Sequence, residues 1–455
     1  MGSDLAGDLT LTQPPDDART EDPDQIRESI RGSIRGSIQI PLGLSFLRKL
    51  AAFAGPGYLI AVGYMDPGNW ATDLAGGSAY GYTLLSIVLI SSAMAMLLQV
   101  LCVRLGVATG LDLAEMSRRQ FGRRLSFAFW ILAELGIVAC DVAEVVGTAI
   151  ALELLFGLPL LWGTLLTAFD TLLVLALQRW GFRKIEAMVV GLITFIALCF
   201  TYELLRAAPG IGPILAGFVP RRELVTDPGM LYLSIGIIGA TVMPHNLYLH
   251  SALVQTRRIA PTEAGRVEAI RFATYDSNVA LVFAFVINAA ILILAARVFH
   301  SAGHNDVAEL GDAYALLSPL LGGKMAAVVF ALALLCAGQN STLTGTLAGE
   351  TVMQGFLNLR VKPWLRRLLT RGLAVIPAAA IIAIAGEKSS GGLLIGSQVV
   401  LSFQLPFAML PLIAFTGSRK LMGRFASPLW LSIPAWITGA VIVVLNIVLL
   451  VQTFS

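Results

Sequence analysis

The stretch Tyr64-Met-Asp-Pro-Gly-Asn-Trp70 decides how the fold is interpreted, because it places polar and helix-breaking residues inside an apolar block. Apolar residues dominate on both sides, at residues 50–62 and 84–90. Proline removes a backbone donor and clashes with the preceding turn, and glycine weakens a helix further. If the block crosses a membrane, an aspartate within it is costly and indicates function. The stretch therefore predicts a broken transmembrane helix with a carboxylate at the break.

The composition supports the membrane interpretation. Of the 455 residues, 56% are hydrophobic and only 13% are charged, against roughly 25% charged in soluble domains. The apolar residues come in blocks of about 20, which is typical of transmembrane helices. The pattern predicts an all-α membrane protein with about eleven spans. These are residues 50–78, 82–106, 126–156, 159–178, 185–207, 230–255, 276–299, 324–356, 368–386, 392–416 and 428–452.

The ends and loops predict the orientation. Residues 1–44 are polar, contain the tandem repeat Ser29-Ile-Arg-Gly-Ser-Ile-Arg-Gly-Ser-Ile38, and are expected to form a disordered tail. Lysine and arginine are concentrated in this tail and in the even-numbered loops, although Arg221 and Arg222 in the third odd-numbered loop fit poorly. Because basic loops stay inside, the N-terminus is predicted to be cytoplasmic and Ser455 to be outside. The four cysteines show no spacing typical of a disulfide framework or zinc site, and no basic, aromatic-rich patch indicates nucleic-acid binding.

A second broken helix is predicted in span six, where Pro244 follows Met243 and precedes His245 and Asn246. Transporters often carry two discontinuous helices at matching positions of two structural repeats. The breaks in spans one and six therefore predict a five-plus-five arrangement of inverted repeats. The first repeat would occupy residues 45–207 and the second 230–416, with an extra helix at 428–452.

The residues at the two breaks indicate metal binding. Asp66, Asn69 and the freed carbonyl of Gly63 or its neighbours are oxygen ligands, whereas the thioether of Met243 is a soft ligand. Oxygen ligands alone suit Mg²⁺ and Ca²⁺, while an added sulfur favours later ions such as Mn²⁺ and Fe²⁺. A proline-kinked helix whose Asp66 pairs with a distant arginine is the structural alternative.

Three acids on span three indicate proton movement. Glu134, Asp141 and Glu144 are spaced by seven and three residues, which places them on one helical face. Arg366 and Arg367, near the start of span nine, are the predicted compensating charges. Such chains in transporters are typical proton relays, although a purely structural network of buried ion pairs remains the alternative.

The motifs D-P-G-N at Asp66–Asn69 and M-P-H at Met243–His245 together resemble the Nramp family of proton-coupled divalent metal transporters, in its bacterial manganese branch. The resemblance covers nearly the whole chain after the tail, with further agreement at Ala133–Glu144, after Thr344 and at Ser397–Val399. It implies a LeuT-like fold and proton-driven import of Mn²⁺, Fe²⁺ or Cd²⁺ across the inner membrane. The implied ligands are Asp66, Asn69, Met243 and the carbonyl of Ala240, joined in some states by the Gly63 carbonyl and the Gln398 amide. The implied proton pathway comprises His245, Glu134, Asp141, Glu144, Arg366 and Arg367. Small departures are Gly63 in place of an expected alanine and Glu350 in place of an expected glutamine.

The sequence fits three other functions less well. His245 and His250 could suggest an intramembrane metalloprotease, but they are five residues apart and no H-E-x-x-H occurs. In a Na⁺-coupled solute symporter of the same fold, Asp66 would repel a substrate carboxylate. Met243 argues against a Mg²⁺ carrier. The predicted protein is therefore a transporter and not an enzyme, with the metal as its substrate, no resident cofactor and the lipid bilayer as its surroundings.

Overall fold

The computed structural model describes residues 36, 38–40, 45–170, 182–321, 323–359, 363–386 and 389–454, and these are almost entirely helical. The first half contains strand β1 (Ile38–Gln39) and helices α1 (Phe46–Phe53), α2 (Pro56–Gly63), α3 (Pro67–Tyr80), α4 (Leu85–Thr109), α5 (Leu113–Phe156), α6 (Leu160–Leu166), α7 (Phe182–Ala207), α8 (Ile211–Gly217) and α9 (Glu223–Thr226). The second half contains α10 (Pro228–Thr241), α11 (Pro244–Leu253), β2 (Arg257–Arg258), α12 (Glu263–Val298), α13 (Leu310–Leu321), α14 (Lys324–Leu357), α15 (Pro363–Ala385), α16 (Ser390–Gly417), α17 (Arg419–Met422) and α18 (Leu429–Phe454). Short 3₁₀ turns lie at Gly81–Leu84, Thr167–Phe169, Val254–Thr256, His300–Ala302 and Gly423–Phe425.

Within the described ranges, eight helical stretches are long and apolar enough to cross a membrane. They are Pro67–Thr109, Leu113–Phe156, Arg183–Ala207, Pro228–Thr256, Glu263–Ala302, Lys324–Leu357, Ser390–Gly417 and Leu429–Val451. Three shorter apolar helices lie at Leu160–Phe169, Leu310–Leu321 and Leu368–Ile384. The prediction of an all-α membrane protein is confirmed, and each predicted span falls on helix where the structure describes it. The end of span four, within residues 171–181, lies outside the described residues.

The structure differs from the sequence prediction in several places. Helices α8, α9, α13 and α17 occupy loops for which no helix is predicted. Within α5, Gly122 has φ 73°, so the chain kinks there and the predicted third span corresponds to the part after the kink. Glycine permits this left-handed conformation, which is strained for residues with a Cβ atom.

The predicted disordered tail also differs at its end. Ile38 and Gln39 form β1, which pairs in parallel with Arg257 and Arg258 of β2. The end of the tail forms a strand because of contacts with distant parts of the chain. Strand β2 supplies a backbone edge for pairing, and Ile40 contacts an apolar cluster that includes Phe53 and Phe272. Residues 1–35 lie outside the described residues.

The broken first helix lies at the centre of the bundle. Trp70, at the start of α3, is fully buried between Phe200 of α7 and Phe330 of α14, with ring centroids at 4.8 and 5.3 Å. Pro67 lies against Gly147 of α5, where an added Cβ would come within 2.1 Å of the Pro67 Cβ. The break is therefore held in place by close packing against three other helices.

This close approach leads to a stability prediction. Gly147→Leu is expected to lower the melting temperature of the purified protein, because overpacking a tight site costs about 1–3 kcal/mol. Gly191→Leu is the matched control, since a Cβ at Gly191 has no atom within 4 Å. The measurement is thermal unfolding in detergent, and equal melting temperatures for the two variants would contradict the packing role of Gly147.

Candidate functional site

The first break is a helix end followed at once by a helix start. Helix α2 ends at Gly63, and α3 begins at Pro67 with Asp66 as its N-cap. The Asp66 carboxylate accepts a hydrogen bond from the Asn69 backbone N–H at 2.7 Å. An aspartate N-cap followed by proline is a favoured helix start, because proline needs no backbone partner there. One Asp66 oxygen is thus used locally, and the break follows from the sequence itself.

The second break repeats this pattern. Helix α10 ends at Thr241, and α11 begins at Pro244 with Met243 as its N-cap. Met243 makes no capping hydrogen bond with its side chain. Its thioether is therefore not used to start the helix, and it remains available for another contact.

Oxygen atoms from both breaks meet at one point. The Asn69 side-chain nitrogen lies 2.9 Å from Asp66 Oδ1, 3.3 Å from the Gly63 carbonyl oxygen and 3.1 Å from the Ala240 carbonyl oxygen. Asp66 and Ala240 are fully buried and Asn69 is 1% exposed. The structure thus brings together four of the six predicted metal ligands.

The Met243 sulfur lies beside this cluster. A Cβ added to Gly63 would come within 3.3 Å of Met243 Sδ and 2.4 Å of Asn246 Nδ2, so glycine makes room here for both side chains. Asn246 donates to Met243 Sδ at 3.5 Å, and its Oδ1 has no hydrogen-bond partner among the described residues. Asn246 was not predicted as a site residue, although its position three residues after Met243 on a helix would have indicated a shared face.

Gln398 completes the predicted set from α16. A Cβ on Gly68 would come within 1.8 Å of Gln398 Nε2, so this side chain lies directly against the start of α3. Gln398 Nε2 donates to Ser397 Oγ at 3.0 Å, while its buried Oε1 lacks a hydrogen-bond partner in the described part of the chain. An unpaired buried carbonyl oxygen is unusual and favours a ligand that completes it.

Cys140 links the cluster to the acids of α5. Its Sγ lies 4.0 Å from Asp66 Oδ2, 3.8 Å from His245 Nε2 and 3.7 Å from Glu144 Oε1. The predicted pathway residues His245 and Glu144 therefore both lie close to Cys140, which in turn lies close to the Asp66 carboxylate. Cys140 was not predicted as a site residue, because the four cysteines show no spacing typical of a disulfide framework or zinc site.

Beyond Cys140, buried ion pairs connect α5 to α15. Glu144 accepts from Ser341 at 2.7 Å and from Arg371 at 3.3 Å. The same Arg371 lies 4.0 Å from Asp141 and 3.5 Å from Asp170. Nearer the end of the bundle, Arg366 pairs with Glu134 at 2.9 Å, and the side chain of Glu134 is 17% exposed. The side chain of Arg367 lies outside the described residues.

Arg371 was not predicted as a site residue, although it lies within the predicted ninth span, which begins at residue 368. A charge inside a span is by default a functional hypothesis, so this signal was present. A polar crevice separates the two ion pairs, and its lining includes Asp141, Thr342, Gly345, Arg366 and Arg371.

In the described ranges, no three His, Cys, Asp or Glu side chains are placed to hold a metal ion together. A metal at the two breaks would instead be held by one carboxylate, amide and main-chain oxygens, and a thioether.

Comparison with known proteins agrees with this geometry. A family model described as natural resistance-associated macrophage protein-like (Nramp) matches residues 57–452. The chain belongs to the Nramp family. The divalent metal cation transporter MntH of Nostoc sp. is 56% identical to this Nramp chain over 416 residues, covering 91% of this chain and 94% of that one. The predicted family resemblance is therefore confirmed.

Solved structures place the Nramp chain in its fold class. The Eremococcus coleocola manganese transporter, in complex with an aromatic bis-isothiourea substituted compound, matches with TM-score 0.85 and 40% identity, covering 93% of this chain and 90% of that one. Mhp1, a nucleobase-cation-symport-1 family transporter in a closed conformation, matches with TM-score 0.58 at 15% identity, covering 88% of this chain and 91% of that one, and so shares the fold alone. The predicted LeuT-like fold is confirmed, and so is the prediction of a multi-pass membrane transporter rather than an enzyme.

Proposed function

We propose that this Nramp chain imports divalent transition-metal ions, chiefly Mn²⁺ and also Fe²⁺ and Cd²⁺, into the cytoplasm together with protons. Its relatives are named as a divalent metal cation transporter and a manganese transporter. One observation carries the assignment of the site, namely the three oxygen atoms that converge on the Asn69 amide from both broken helices.

That convergence is what a cation needs. The amide nitrogen bears a partial positive charge and is surrounded by three acceptors. The nitrogen and oxygen of an amide are assigned from their partners and can be exchanged by rotation. With the amide rotated, Oδ1 of Asn69 would join the oxygens of Asp66, Gly63 and Ala240 at one point. Four acceptors facing each other repel unless a hydrogen-bond donor or a cation lies among them, and a divalent cation would fit this place.

The other two donors define the class of ion. Met243 adds a thioether beside Gly63, and the Gln398 amide, whose carbon and nitrogen lie beside Gly68, would add its unpaired oxygen. A set with one sulfur suits Mn²⁺, Fe²⁺ and Cd²⁺ better than Mg²⁺, which prefers oxygen ligands and retains its water. Asp66 is the one charged ligand in this set, so neutral donors provide the remaining coordination.

The function is tested by competition. Purified protein in liposomes should take up Mn²⁺, and excess Fe²⁺ or Cd²⁺ should suppress that uptake more strongly than equal concentrations of Mg²⁺ or Ca²⁺. Mg²⁺ uptake at the Mn²⁺ rate would contradict a site that depends on Met243. Uptake of an organic solute with Na⁺, and not of metals, would favour the alternative of a Na⁺-coupled symporter.

We further propose that protons follow the acidic chain of α5. Metal binding requires an ionised Asp66, so loading the metal releases a proton from that carboxylate. Cys140 lies close to Asp66, His245 and Glu144, and Arg371 connects Glu144 to Asp141. The Glu134–Arg366 pair would receive the proton at the partly exposed end, since the Glu134 side chain is the most exposed of the three acids.

This route predicts separable effects on protons and metal. An inward pH gradient should accelerate Mn²⁺ entry, and Mn²⁺ entry should acidify the liposome lumen. Glu134→Gln and Asp141→Asn should each weaken the acidification more than they weaken Mn²⁺ binding, because neither residue is among the proposed ligands. Glu223→Gln, at an exposed acid of α9, is the control and should behave as wild type. Full proton flux in both pathway variants would favour the structural ion-pair network.

The proposed location is the inner membrane, with a cytoplasmic N-terminus and an outer C-terminus. The basic residues of the tail and the even-numbered loops support this orientation. The division into repeats at residues 45–207 and 230–416, with an extra helix at 428–452, is supported by the matching breaks at Pro67 and Pro244. Protease protection of tags placed at each terminus of the full chain, in sealed vesicles, tests the orientation.

A further inference from the structure

The tandem repeat of the tail ends on the strand that pairs with β2. Its three copies read Ser29-Ile-Arg-Gly32, Ser33-Ile-Arg-Gly36 and Ser37-Ile-Gln-Ile40. The third copy contains β1, with Ile38 paired to Arg257 and Gln39 to Arg258. Just before it, the Gly36 N–H donates to the Gln255 carbonyl at 3.0 Å. The tail thus adds a strand to the segment that links α11 to α12.

The third copy differs from the other two at both positions that matter for this pairing. Its third residue is Gln39 where the others have arginine, and an arginine at this register position would stand opposite Arg258. Like charges placed opposite each other destabilise strand pairing. Its fourth residue is Ile40 where the others have glycine, and Ile40 contacts the apolar cluster around Phe53 and Phe272. Burial of one face fixes the register of a strand, so the third copy is the one suited to β2.

Strand β2 is also the anchor for the start of the first broken helix. The Arg257 guanidinium donates to Glu186 of α7 at 2.6 Å and also to the Ala54 carbonyl at the junction of α1 and α2. Arg183 donates to the carbonyls of Ala54 and Ala51, each at 2.7 Å. One residue of β2 therefore links the tail strand, α7 and the α1–α2 junction.

The α1–α2 junction is held to the neighbouring helices by only a few polar contacts among the described residues. Gly55 has φ 141°, which interrupts the helix between α1 and α2. Asp276 of α12 accepts from the backbone N–H groups of Gly55 and Gly57 at 3.1 and 2.7 Å. The junction is thus held by a few polar contacts to neighbouring helices, which can be broken and remade. Buried Asp66 and Met243 lie beyond it, so release of an ion towards this end requires some such separation.

We propose that β2 is a docking site for the third copy of the tail repeat, and that the docked strand latches α1 and α2 against α7 and α12. The latch rests on the proposed function in one respect, namely that a transporter must open at the end of the bundle where the α1–α2 junction lies. The docked strand holds Arg257 in position by pairing with its backbone, while Ile40 covers the cluster beside Phe53. When the strand undocks, the backbone pairing at Arg257 and the Ile40 contact are both lost. This favours a state in which the α1–α2 junction has moved away from α7 and α12.

The test compares the same substitution in two copies of the repeat. Ile40→Asp places a charge in the apolar contact, whereas Ile34→Asp makes the same change in the second copy, outside β1. The reporter is Ser277→Cys in full-length protein whose four native cysteines are replaced by alanine. Ser277 is fully buried on α12, and its Cα would lie 2.5 Å from a Cβ on Gly57, so its exposure reports separation of α2 from α12. The measurement is the labelling rate by a water-soluble maleimide in metal-free liposomes permeable to the reagent.

Ile40→Asp is expected to raise the labelling rate about tenfold, which corresponds to the lost burial of part of one isoleucine side chain. Ile34→Asp should label at the parental rate. A third variant, Gln39→Arg, should also raise the rate, because it restores to the third copy the charge of the other two. Thermal unfolding of each variant separates latch release from general destabilisation.

Equal labelling of the Ile40→Asp and Ile34→Asp proteins, with both folded, would overturn the latch. So would a slower rate in the Gln39→Arg protein. Because the assay contains no metal and no proton gradient, it reads the conformation alone. A protein that fails to transport Mn²⁺ but shows the predicted labelling difference would contradict the proposed function and leave the latch standing.

Discussion

Asp66→Ala is expected to reduce Mn²⁺ uptake below detection while leaving the protein folded. Asp66 is the one carboxylate among the proposed ligands, and it lies fully buried where the Gly63 and Ala240 carbonyls converge. Without it a divalent ion would enter a buried site with no charge to compensate it, and burying an unpaired charge is strongly unfavourable. The measurement is uptake by liposomes that contain equal amounts of wild-type and variant protein.

The chain supplies a matched control for this experiment. Asp227 has the same local context, because it begins an Asp-Pro-Gly sequence and caps α10 by accepting from the Met230 N–H at 2.7 Å. Asp227→Ala should cost about 1 kcal/mol of stability, the usual contribution of an N-cap, and should retain uptake. Loss of uptake in both variants, with equal loss of stability, would indicate that Asp66 acts as a helix cap and not as a ligand.

Met243→Ala is expected to change which ions are carried. Replacing the sulfur opens that position to water, an oxygen ligand, and so removes the disadvantage of hard ions. Selectivity is a difference between two affinities, so the variant should still carry Mn²⁺ more weakly but should now admit Ca²⁺ or be strongly inhibited by it. Cd²⁺, the softest of these ions, should lose the most affinity. The measurement is Mn²⁺ and Cd²⁺ uptake at increasing Ca²⁺ concentration.

Met409→Ala controls for the loss of a buried methionine. Met409 is fully buried on α16 and contacts the side of α18 at Gly439, with no polar partner in the described residues. Its truncation should lower stability, because large-to-small changes in a core leave a cavity, without changing ion selectivity. If Ca²⁺ stays excluded by the Met243→Ala protein and Cd²⁺ uptake is unchanged, Met243 only fills space and the selectivity argument fails.

The amino-acid sequence alone was enough to locate the membrane spans and the breaks in two of them. Apolar blocks of sufficient length specify spans, since a helix in lipid must satisfy its own backbone groups. Proline and glycine act on their immediate neighbours, so the breaks at Pro67 and Pro244 could be placed before any contact was known. The residue types at the breaks also indicated a soft metal site, because donor chemistry belongs to the side chain.

Which of these residues meet depends on long-range packing. Asp-Pro-Gly occurs twice, at Asp66 and Asp227, and both aspartates cap a helix in the same way. They differ because the packing of α2, α3 and α10 brings the Ala240 carbonyl to Asn69, 171 residues away along the chain. The position of Arg371 beside Glu144, and the choice of the third repeat copy by β2, depend on long-range contacts in the same way. Local propensities are encoded by adjacent residues, whereas convergence of distant groups is set by how whole helices pack, and this packing places the proposed site.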